Sequence, residues 1–458
     1  MKHLFLFFSI CVLGAFCSCS DNDTLEESYG NSKIFLTPDE YISIAYDSNK
    51  DLGNNGVLEM VKGFNLTQTS RSALGETPKI TKKYNLTFNF NGKESKLISV
   101  PIYEVKLNGN SNEGYALVSG DERVPAVIAY VDNGTINDTI VNKGAALMIR
   151  EAKNALLKKV NEIESIKDSL RSATLAKISI VTGKKNITLE DIHDKIEVKG
   201  INTRSTATES PSGGKLVKEV IPLITTQWNQ NAPYNNLMEK SETDLGWGYN
   251  GKNAVGCTAV AVAQIVAYYE CLSSAYGLSL NWNSLKASSR ISAYGDASLI
   301  TQVASLFKHV AYGINTTWSN GEGGANMKNA SNYLNNLGIT FDTGSKYAGY
   351  SMDAARIVES LDNLCPVFIT GGVEAGTRST SGGRHCWLLD GYQLRLRSAT
   401  TRMVVKQNDV YVHANFGWGG HEDGYYMVDR NTTNLDFETS VNGHFNQDLK
   451  LFTNIRRK

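Results

Sequence analysis

Cysteine is missing from a long stretch of this sequence. The 458 residues contain seven cysteines, of which three lie in the first 19 residues and none lies between Cys19 and Cys257. The remaining four are Cys257, Cys271, Cys365 and Cys386. A disulfide scaffold places its cysteines more densely and evenly, and no Cys-x-x-Cys pair exists for a zinc ribbon. This distribution favours one reactive thiol among buried companions.

The chain also has no net charge at neutral pH. The 46 basic residues are matched by 46 acidic ones, so there is no electrostatic reason to expect a nucleic-acid partner, and no DNA- or RNA-binding signature is present. The histidines are scattered, without the spacing of a metal site. We therefore expect neither a metal nor another cofactor.

The pattern of the first 19 residues is typical of an export signal. A basic start is followed by an apolar run from Leu4 to Phe16, which is too short to span a bilayer, and no later segment is long and apolar enough to do so. The run ends at Cys17, Ser18 and Cys19, and acidic residues follow.

This pattern resembles a bacterial lipoprotein signal, with Cys19 as the lipidated residue because the small Ser18 precedes it. The alternative is an ordinary signal peptide with incidental cysteines. We expect residues 1–18 to be the signal peptide and 19–34 a tether. The membrane would be a partner through the lipid on Cys19, at the outer membrane or cell surface, and the mature domain could be released.

Residues 35–201 have the patterns of a folded unit. Alternating or buried-strand patterns precede a long amphipathic helix from Ala145 to Leu170. The strand patterns are at 84–90, 102–107, 114–121 and 127–131. This region contains no cysteine and His193 as its only histidine, so it lacks the parts for nucleophilic catalysis.

A polar linker at 202–216 is the clearest domain boundary, and such exposed linkers are where proteolytic nicking concentrates. Arg204, Lys215 and Lys218 are candidates for a cut directed by a basic residue. After it, in residues 217–458, helical patterns come first and strand patterns follow. The helices are predicted at 257–269, 299–312, 325–337 and 352–361, and the strands at 366–370, 385–389, 410–416 and 424–428. This order indicates α+β packing.

Cys257 follows Gly256 at the point where a glycine-containing loop becomes an Ala/Val-rich helix. A helix N-terminus favours an anion, which lowers a thiol pKa and offers backbone donors to a developing oxyanion. The structural alternative is a small buried residue at a helix start.

His385 and Asn415 complete a pattern with Cys257. His385 begins an apolar strand after a glycine-rich loop, where its ring can face a cleft. Considered without the other residues, this histidine is equally consistent with a structural role. Asn415 ends an alternating strand, and its amide could fix the His tautomer while Trp418 shields that hydrogen bond. The three residues occur in the order and spacing of papain-type sites.

A glutamine near the start of this half could donate a hydrogen bond to the oxyanion beside the Cys257 backbone N–H. Gln227 and Gln230 are both available, and the pattern alone does not choose between them. His413, on the same predicted strand face as Asn415, could line the site. Cys386 should face away from His385 and belong to the core.

These motifs resemble the streptopain family of papain-like cysteine peptidases, over nearly the whole chain after the leader. The Gly-Cys-x-x-x-x-x-Ala-Gln stretch carries Cys257, the Gly-Gly-x-His-x-x-x-x-Asp-Gly stretch carries His385, and the Asn-Trp-Gly-Trp-Gly-Gly stretch begins at Asn415. The family's oxyanion glutamine maps to Gln230. The region around 114–125 resembles the inhibitory propeptide.

The resemblance implies a two-part papain-like domain, a helical half and an antiparallel sheet half, behind an α+β prodomain that inhibits it. Two departures stand out. Phe416 replaces the first Trp of its motif, and the loop from 373 to 384 is longer than in the family and is a candidate flap over the substrate groove.

The leading hypothesis is a secreted cysteine endopeptidase made as a zymogen, acting on protein or peptide substrates through an acyl-enzyme. The first alternative is an acyltransferase or transpeptidase that uses the same three residues. The second is a surface binding protein that keeps the fold without catalysis.

Overall fold

The structure is a computed structural model. It describes residues 33–46, 51–66, 77–108, 113–137, 142–185, 187–199, 213–343, 353–372, 384–397, 407–429 and 450–458. Five predictions lie outside these ranges: the signal peptide 1–18, the lipidation of Cys19, the tether up to residue 32, the linker from 202 to 212 and the flap at 373–383.

The N-terminal region forms a sheet backed by helices. Its helices are α1 (Pro38–Ala45), α2 (Gly53–Leu66), α3 (Lys143–Thr182) and α4 (Leu189–Ile192), the last followed by a 3₁₀ turn at His193–Lys195. Its strands are β1 (Ile34–Leu36), β2 (Lys79–Asn91), β3 (Ser95–Asn108), β4 (Glu113–Ser119), β5 (Ala126–Val131) and β6 (Ile196–Val198). Thr37 begins α1 with a capping box to Glu40, and Pro38 occupies its first position.

The C-terminal half supplies the remaining elements. Its helices are α5 (Cys257–Tyr269), α6 (Trp282–Leu285), α7 (Ala297–Gly313), α8 (Met327–Asn336) and α9 (Ala354–Asp362). Its longer strands are β7 (Lys215–Val220), β12 (Ile339–Thr343), β13 (Val367–Gly372), β14 (Arg384–Arg397), β15 (Gln407–Asn415), β16 (Gly424–Val428) and β17 (Lys450–Arg457). Two short hairpins are β8 (Ser274–Ala275) with β9 (Leu278–Ser279), and β10 (Thr317–Ser319) with β11 (Glu322–Gly324).

One sheet runs through both halves of the chain. Its order is β12-β17-β13-β14-β15-β16-β5-β4-β3-β2, and β7 pairs with the second part of β14. The junction is the antiparallel pair β5 and β16, where Tyr425 lies opposite Tyr130. The N-terminal region is therefore bound to the C-terminal half by strand addition, which satisfies the backbone groups of an edge strand.

The two faces of this sheet carry different cores. On one face the 40-residue helix α3 packs with residues such as Leu156 against Trp387 and Leu389 of β14. On the other face α5, α7 and α8 pack against Leu388. Because side chains alternate across a strand, neighbouring residues of β14 belong to different cores.

The predicted α+β class is confirmed, with helices first and an antiparallel sheet after them in the C-terminal half. α5 has the predicted bounds, and the long helix of the N-terminal region extends further than predicted, to Thr182. Its left-handed cap at Gly183 ends it there. No helix of the described ranges has the length and hydropathy required to cross a membrane.

Candidate active site

Cys257 is the first residue of α5, so its thiol lies at the positive end of a helix whose interior is almost wholly apolar and buried. Gly256 precedes it with φ of 93°, and a Cβ built there would lie 2.6 Å from the carbonyl oxygen of Gly323. Only glycine fits this turn without strain or displacement. The turn brings the backbone close to β11 and leaves the thiol half-buried at the helix start.

His385, on β14, is buried and held by a backbone group. Its Nε2 lies 3.1 Å from the carbonyl oxygen of Phe416. A carbonyl can only accept, so Nε2 carries the hydrogen and Nδ1 of the neutral ring is left as a proton acceptor. The rings of Trp387 (6.0 Å between centroids), Trp418 (6.1 Å) and Phe416 (6.4 Å) surround the imidazole.

Asn415 occupies a different position from the one predicted. Its Oδ1 accepts from Nε2 of Gln264 at 3.0 Å and from the Gly417 N–H, and its Nδ2 donates to the Thr226 carbonyl at 2.9 Å. Among the residues that the structure describes, no hydrogen bond joins this amide to His385. The register explains the difference: Asn415 pairs with Leu388, which belongs to the core beneath α5, whereas His385 lies three residues earlier on β14.

The thiol of Cys257 is strongly polarised. Two neighbours lower the pKa of the Cys257 thiol well below its ordinary value. The larger influence is hydrogen bonding with the Cys386 side chain, and the charge and hydrogen bonding of His385 add to it. Burial acts in the opposite direction and is outweighed. The same contact, reinforced by burial, raises the pKa of Cys386. Cys386 is buried, as predicted, but its interaction with the Cys257 thiol was not predicted.

The two candidate oxyanion glutamines lie at different places. Gln227 packs its side chain against Gly420. The carbonyl of Gln230 accepts from the Val255 N–H at 3.2 Å, two residues before Cys257. This pairing places the backbone of Gln230 beside the thiol loop, whereas Gln227 supports the glycine-rich turn after Asn415.

His413 belongs to a buried polar cluster. Its Nδ1 lies 2.6 Å from Oδ1 of Asp390, and although burial opposes it, that carboxylate raises the pKa of His413. Nearby, Oδ1 of Asp423 accepts from the Phe416 N–H at 2.8 Å, and burial raises the pKa of Asp423 to about 7. This cluster holds the strand end that carries the carbonyl bound to His385.

Helix α3 of the N-terminal region reaches the site with its first turn. A Cβ built on Gly144 would lie 2.7 Å from Cδ2 of His385 and 2.9 Å from Cδ1 of Phe416. Asn142 caps this turn by accepting from the Ala145 N–H. The helix start therefore lies directly against the Cδ2 edge of the imidazole.

A known family of proteins matches the part of the chain that carries these residues. Residues 228–426, which include Cys257, His385 and Phe416, match the model of the Peptidase C10 family. This part of the chain is similar to that family. The resemblance to streptopain is thereby confirmed, and the C10 domain is a cysteine peptidase. Comparison with curated protein sequences gave no significant match.

Two solved structures are similar to the chain that contains this C10 domain. A fragment of prointerpain A from Prevotella intermedia is 17% identical with a TM-score of 0.44, covering 82% of this chain and 100% of that one. Active wild-type interpain A, a cysteine protease of the same organism, is 24% identical with a TM-score of 0.36, covering 52% of this chain and 95% of that one.

Three residues that lie at this site were not predicted from the sequence to take part in it. The alternation of β14 predicts only a core position for Cys386, the motif that contains Gln264 predicts no role for it, and Gly144 lies in another region. Gln264 carries a usable signal, because it is the one strongly polar side chain of an otherwise apolar helix. A buried amide in such a helix must find polar partners.

Proposed function

We propose that this chain is a secreted cysteine endopeptidase made as a zymogen, with Cys257 as nucleophile and His385 as its base. The observation that carries the proposal is the pair itself. The pKa of a thiol at a helix N-terminus is lowered by Cys386 and by an imidazole, and the Nε2 atom of that imidazole is held by the Phe416 carbonyl. Peptide-bond hydrolysis by a thiolate requires this combination.

The reaction begins with the Cys257 thiolate adding to the carbonyl carbon of the scissile bond. His385, protonated after taking the thiol proton, gives that proton to the leaving amine, and the thioester acyl-enzyme remains. Water, deprotonated by the same imidazole, then attacks the thioester and releases the acid. The Phe416 carbonyl keeps the imidazole in one orientation throughout the reaction. The sequence predicts this role for Asn415.

The oxyanion that forms on the scissile carbonyl needs donors. The backbone N–H of Cys257 is one, because the first N–H groups of a helix have no intrahelical partner. Gln230 is the second in this proposal, since its backbone is paired to the thiol loop while the side chain of Gln227 is engaged with Gly420. One such donor contributes on the order of 3 kcal/mol to transition-state stabilisation.

Residues 35–201 act as the inhibitor in the same chain. Four contacts support this role. Strand β5 extends the catalytic sheet at β16, and the Tyr115 hydroxyl donates to Glu422 at 2.6 Å in a buried position. Lys159 of α3 pairs with Asp409 at 3.2 Å, and the first turn of α3 packs on His385. Together they attach the region firmly and cover the base.

Activation would follow from cleavage in the linker 202–216, which frees residues 217–458. Export through the leader and a lipid on Cys19 would place the zymogen at the outer membrane or cell surface. These steps rest on the sequence patterns of the leader and the linker.

The proposal is tested by comparing purified wild-type protein with Cys257→Ala, His385→Ala and the matched control Cys271→Ser. Wild type and C271S should mature, with a new N-terminus near 202–218 by mass spectrometry, and should cleave casein. C257A and H385A should stay full length and lose at least about 10³-fold of the activity. A C257A protein that matures and cleaves casein like wild type would refute it.

A further inference from the structure

A second thiol lies against the nucleophile. Cys386 follows His385 on β14, and because side chains alternate along a strand, it points to the opposite face, toward the start of α5. Its side chain is buried, and its sulfur lies 3.2 Å from the hydroxyl of Thr258, the residue directly after Cys257.

The contact extends to the reactive sulfur itself. Cys257 packs against the same cluster of buried residues that contains Cys386, and interaction with the Cys386 side chain is the largest influence that lowers the pKa of Cys257. Both lie at elements fixed by backbone pairing, α5 on one side and the β13–β14 ladder on the other. A disulfide needs Cβ atoms about 4 Å apart. The Cys386 sulfur already lies 3.2 Å from the hydroxyl of Thr258 in the first turn of α5, beside Cys257.

The other described cysteines have no such position. Cys271 follows the far end of α5, and Cys365 bonds the carbonyl of Asn363. Burial raises the pKa of both. Within the described ranges, Cys386 is therefore the thiol placed to meet an oxidised Cys257.

We propose that Cys386 is a resolving thiol that converts peroxide-oxidised Cys257 into a reversible Cys257–Cys386 disulfide. The inference rests on the proposed role of Cys257 as nucleophile. Oxidation sensors typically pair an exposed reactive thiol with a neighbouring cysteine of this kind.

The chemistry balances with a hydroperoxide as oxidant. The Cys257 thiolate attacks one peroxide oxygen, an S–O bond forms, the O–O bond breaks, and hydroxide leaves and is protonated to water. The product is a sulfenic acid. Cys386 sulfur then attacks the Cys257 sulfur, the S–S bond forms as the S–O bond breaks, and a second water leaves with the thiol proton. Two thiols lose two electrons in total, and hydrogen peroxide is reduced to two waters.

The consequence is protection of the nucleophile. Without a neighbouring thiol, a sulfenic acid is oxidised further to sulfinic acid, which ordinary thiols do not reduce. The disulfide removes the nucleophile while oxidant is present, and a dithiol reductant restores it.

The test uses the full chain, treated with hydrogen peroxide near neutral pH and digested without reduction. Mass spectrometry should find a linked peptide pair containing Cys257 and Cys386 that has lost two hydrogens. After dithiothreitol, iodoacetamide should alkylate nearly all Cys257 in wild type and in the control Cys271→Ser. In Cys386→Ser the fraction of Cys257 lost irreversibly to sulfinic acid should be at least about fivefold larger.

Absence of the linked peptide in wild type, or equal irreversible loss in wild type and C386S, would overturn the inference. The search for the linked peptide uses only the wild-type protein, so its result does not depend on whether C386S folds well. Failure here is also separate from failure of the proposed function, because casein cleavage that depends on Cys257 can persist without any disulfide.

Discussion

Nε2 of His385 donates to the carbonyl of Phe416, one residue beyond the asparagine that the motif order assigned to this task. The distance is 3.1 Å, and the carbonyl is itself held because the Phe416 N–H donates to Asp423. A backbone acceptor fixes the tautomer as a side-chain amide would, without titrating and without depending on the residue type. This relationship leaves Asn415 free for a structural task.

Asn415→Ala should therefore cost stability more than catalysis. The change removes the acceptor of Gln264 and the donor to Thr226, both buried, so the free energy of unfolding should fall by about 2–4 kcal/mol. The kcat of the mature enzyme should fall less than about tenfold. Urea unfolding in a Cys257→Ala background and steady-state kinetics measure the two effects.

Gln264→Leu is the matched variant, because it breaks the same contact from the other side. It should give a similar loss of unfolding free energy. A fall in kcat of about 10³-fold or more for N415A, with unchanged stability, would instead mean that Asn415 orients the imidazole directly.

Gly144→Val should weaken inhibition by the N-terminal region. Even the first carbon of the new side chain would lie 2.7 Å from the His385 ring, so the first turn of α3 must withdraw. Maturation of the full chain should become at least about fivefold faster, since loss of roughly 1 kcal/mol of docking free energy corresponds to that factor. Gel analysis over time measures the rate.

Gly183→Ala is the control for that experiment. It strains the left-handed cap at the other end of α3, where nothing lies within 4 Å of the new Cβ. If G183A accelerates maturation as much as G144V, general loosening of the helix explains the effect and the contact with His385 does not.

Gly256→Ala should damage the nucleophile turn. A Cβ at this position meets the Gly323 carbonyl at 2.6 Å, and φ is 93°. The strain should cost about 1–3 kcal/mol of unfolding free energy, and displacement of Cys257 should lower kcat/KM at least about tenfold. Thermal unfolding in the Cys257→Ala background and peptide kinetics measure these.

Gly324→Ala is its matched control on β11, where a new Cβ meets nothing within 4 Å. It should change stability by less than about 0.5 kcal/mol. Equal effects of G256A and G324A would show that the close approach at Gly256 does not control the position of the thiol.

Asp423 should make stability depend on pH. Burial raises its pKa in the folded protein to about 7, above its unfolded value. Its contribution is therefore fully present below the unfolded pKa, near 4, and is lost as pH rises through about 7. Between pH 5 and pH 8 the wild-type unfolding free energy should fall by about 2–3 kcal/mol relative to Asp423→Asn.

The asparagine variant isolates this effect, because its Oδ1 can still accept from the Phe416 N–H but does not titrate. Urea unfolding at the two pH values, in the Cys257→Ala background, provides the measurement. If the unfolding free energies of wild type and D423N change equally between the two pH values, the raised pKa of Asp423 would be contradicted.

The sequence predicted the elements of the site better than their contacts. The bounds of α5, with Cys257 as its first residue, followed from the glycine before it and the apolar run after it. The strand that carries His385 followed from the apolar run after a glycine-rich loop, and the strand that ends at Asn415 followed from its alternating pattern. These are local features, set within a few residues of the chain.

The contacts depended on features that no local pattern contains. Which face Asn415 occupies is set by its register with Leu388, and a register shift of one residue would reverse it. The acceptor of His385 is a backbone carbonyl, which every residue possesses. Gly144 meets His385 because contacts such as the β5–β16 pair join two regions that are far apart in sequence.

The most direct test of the central claim is to trap the acyl group. Mature enzyme is mixed with a slowly deacylated ester substrate, quenched with acid within the first turnover and digested for mass spectrometry. The account predicts the acyl mass on the peptide containing Cys257, absent from the Cys257→Ala protein and present in Cys271→Ser. An enzyme that hydrolyses the substrate with no acyl group on Cys257, or with the group on another residue, would contradict it.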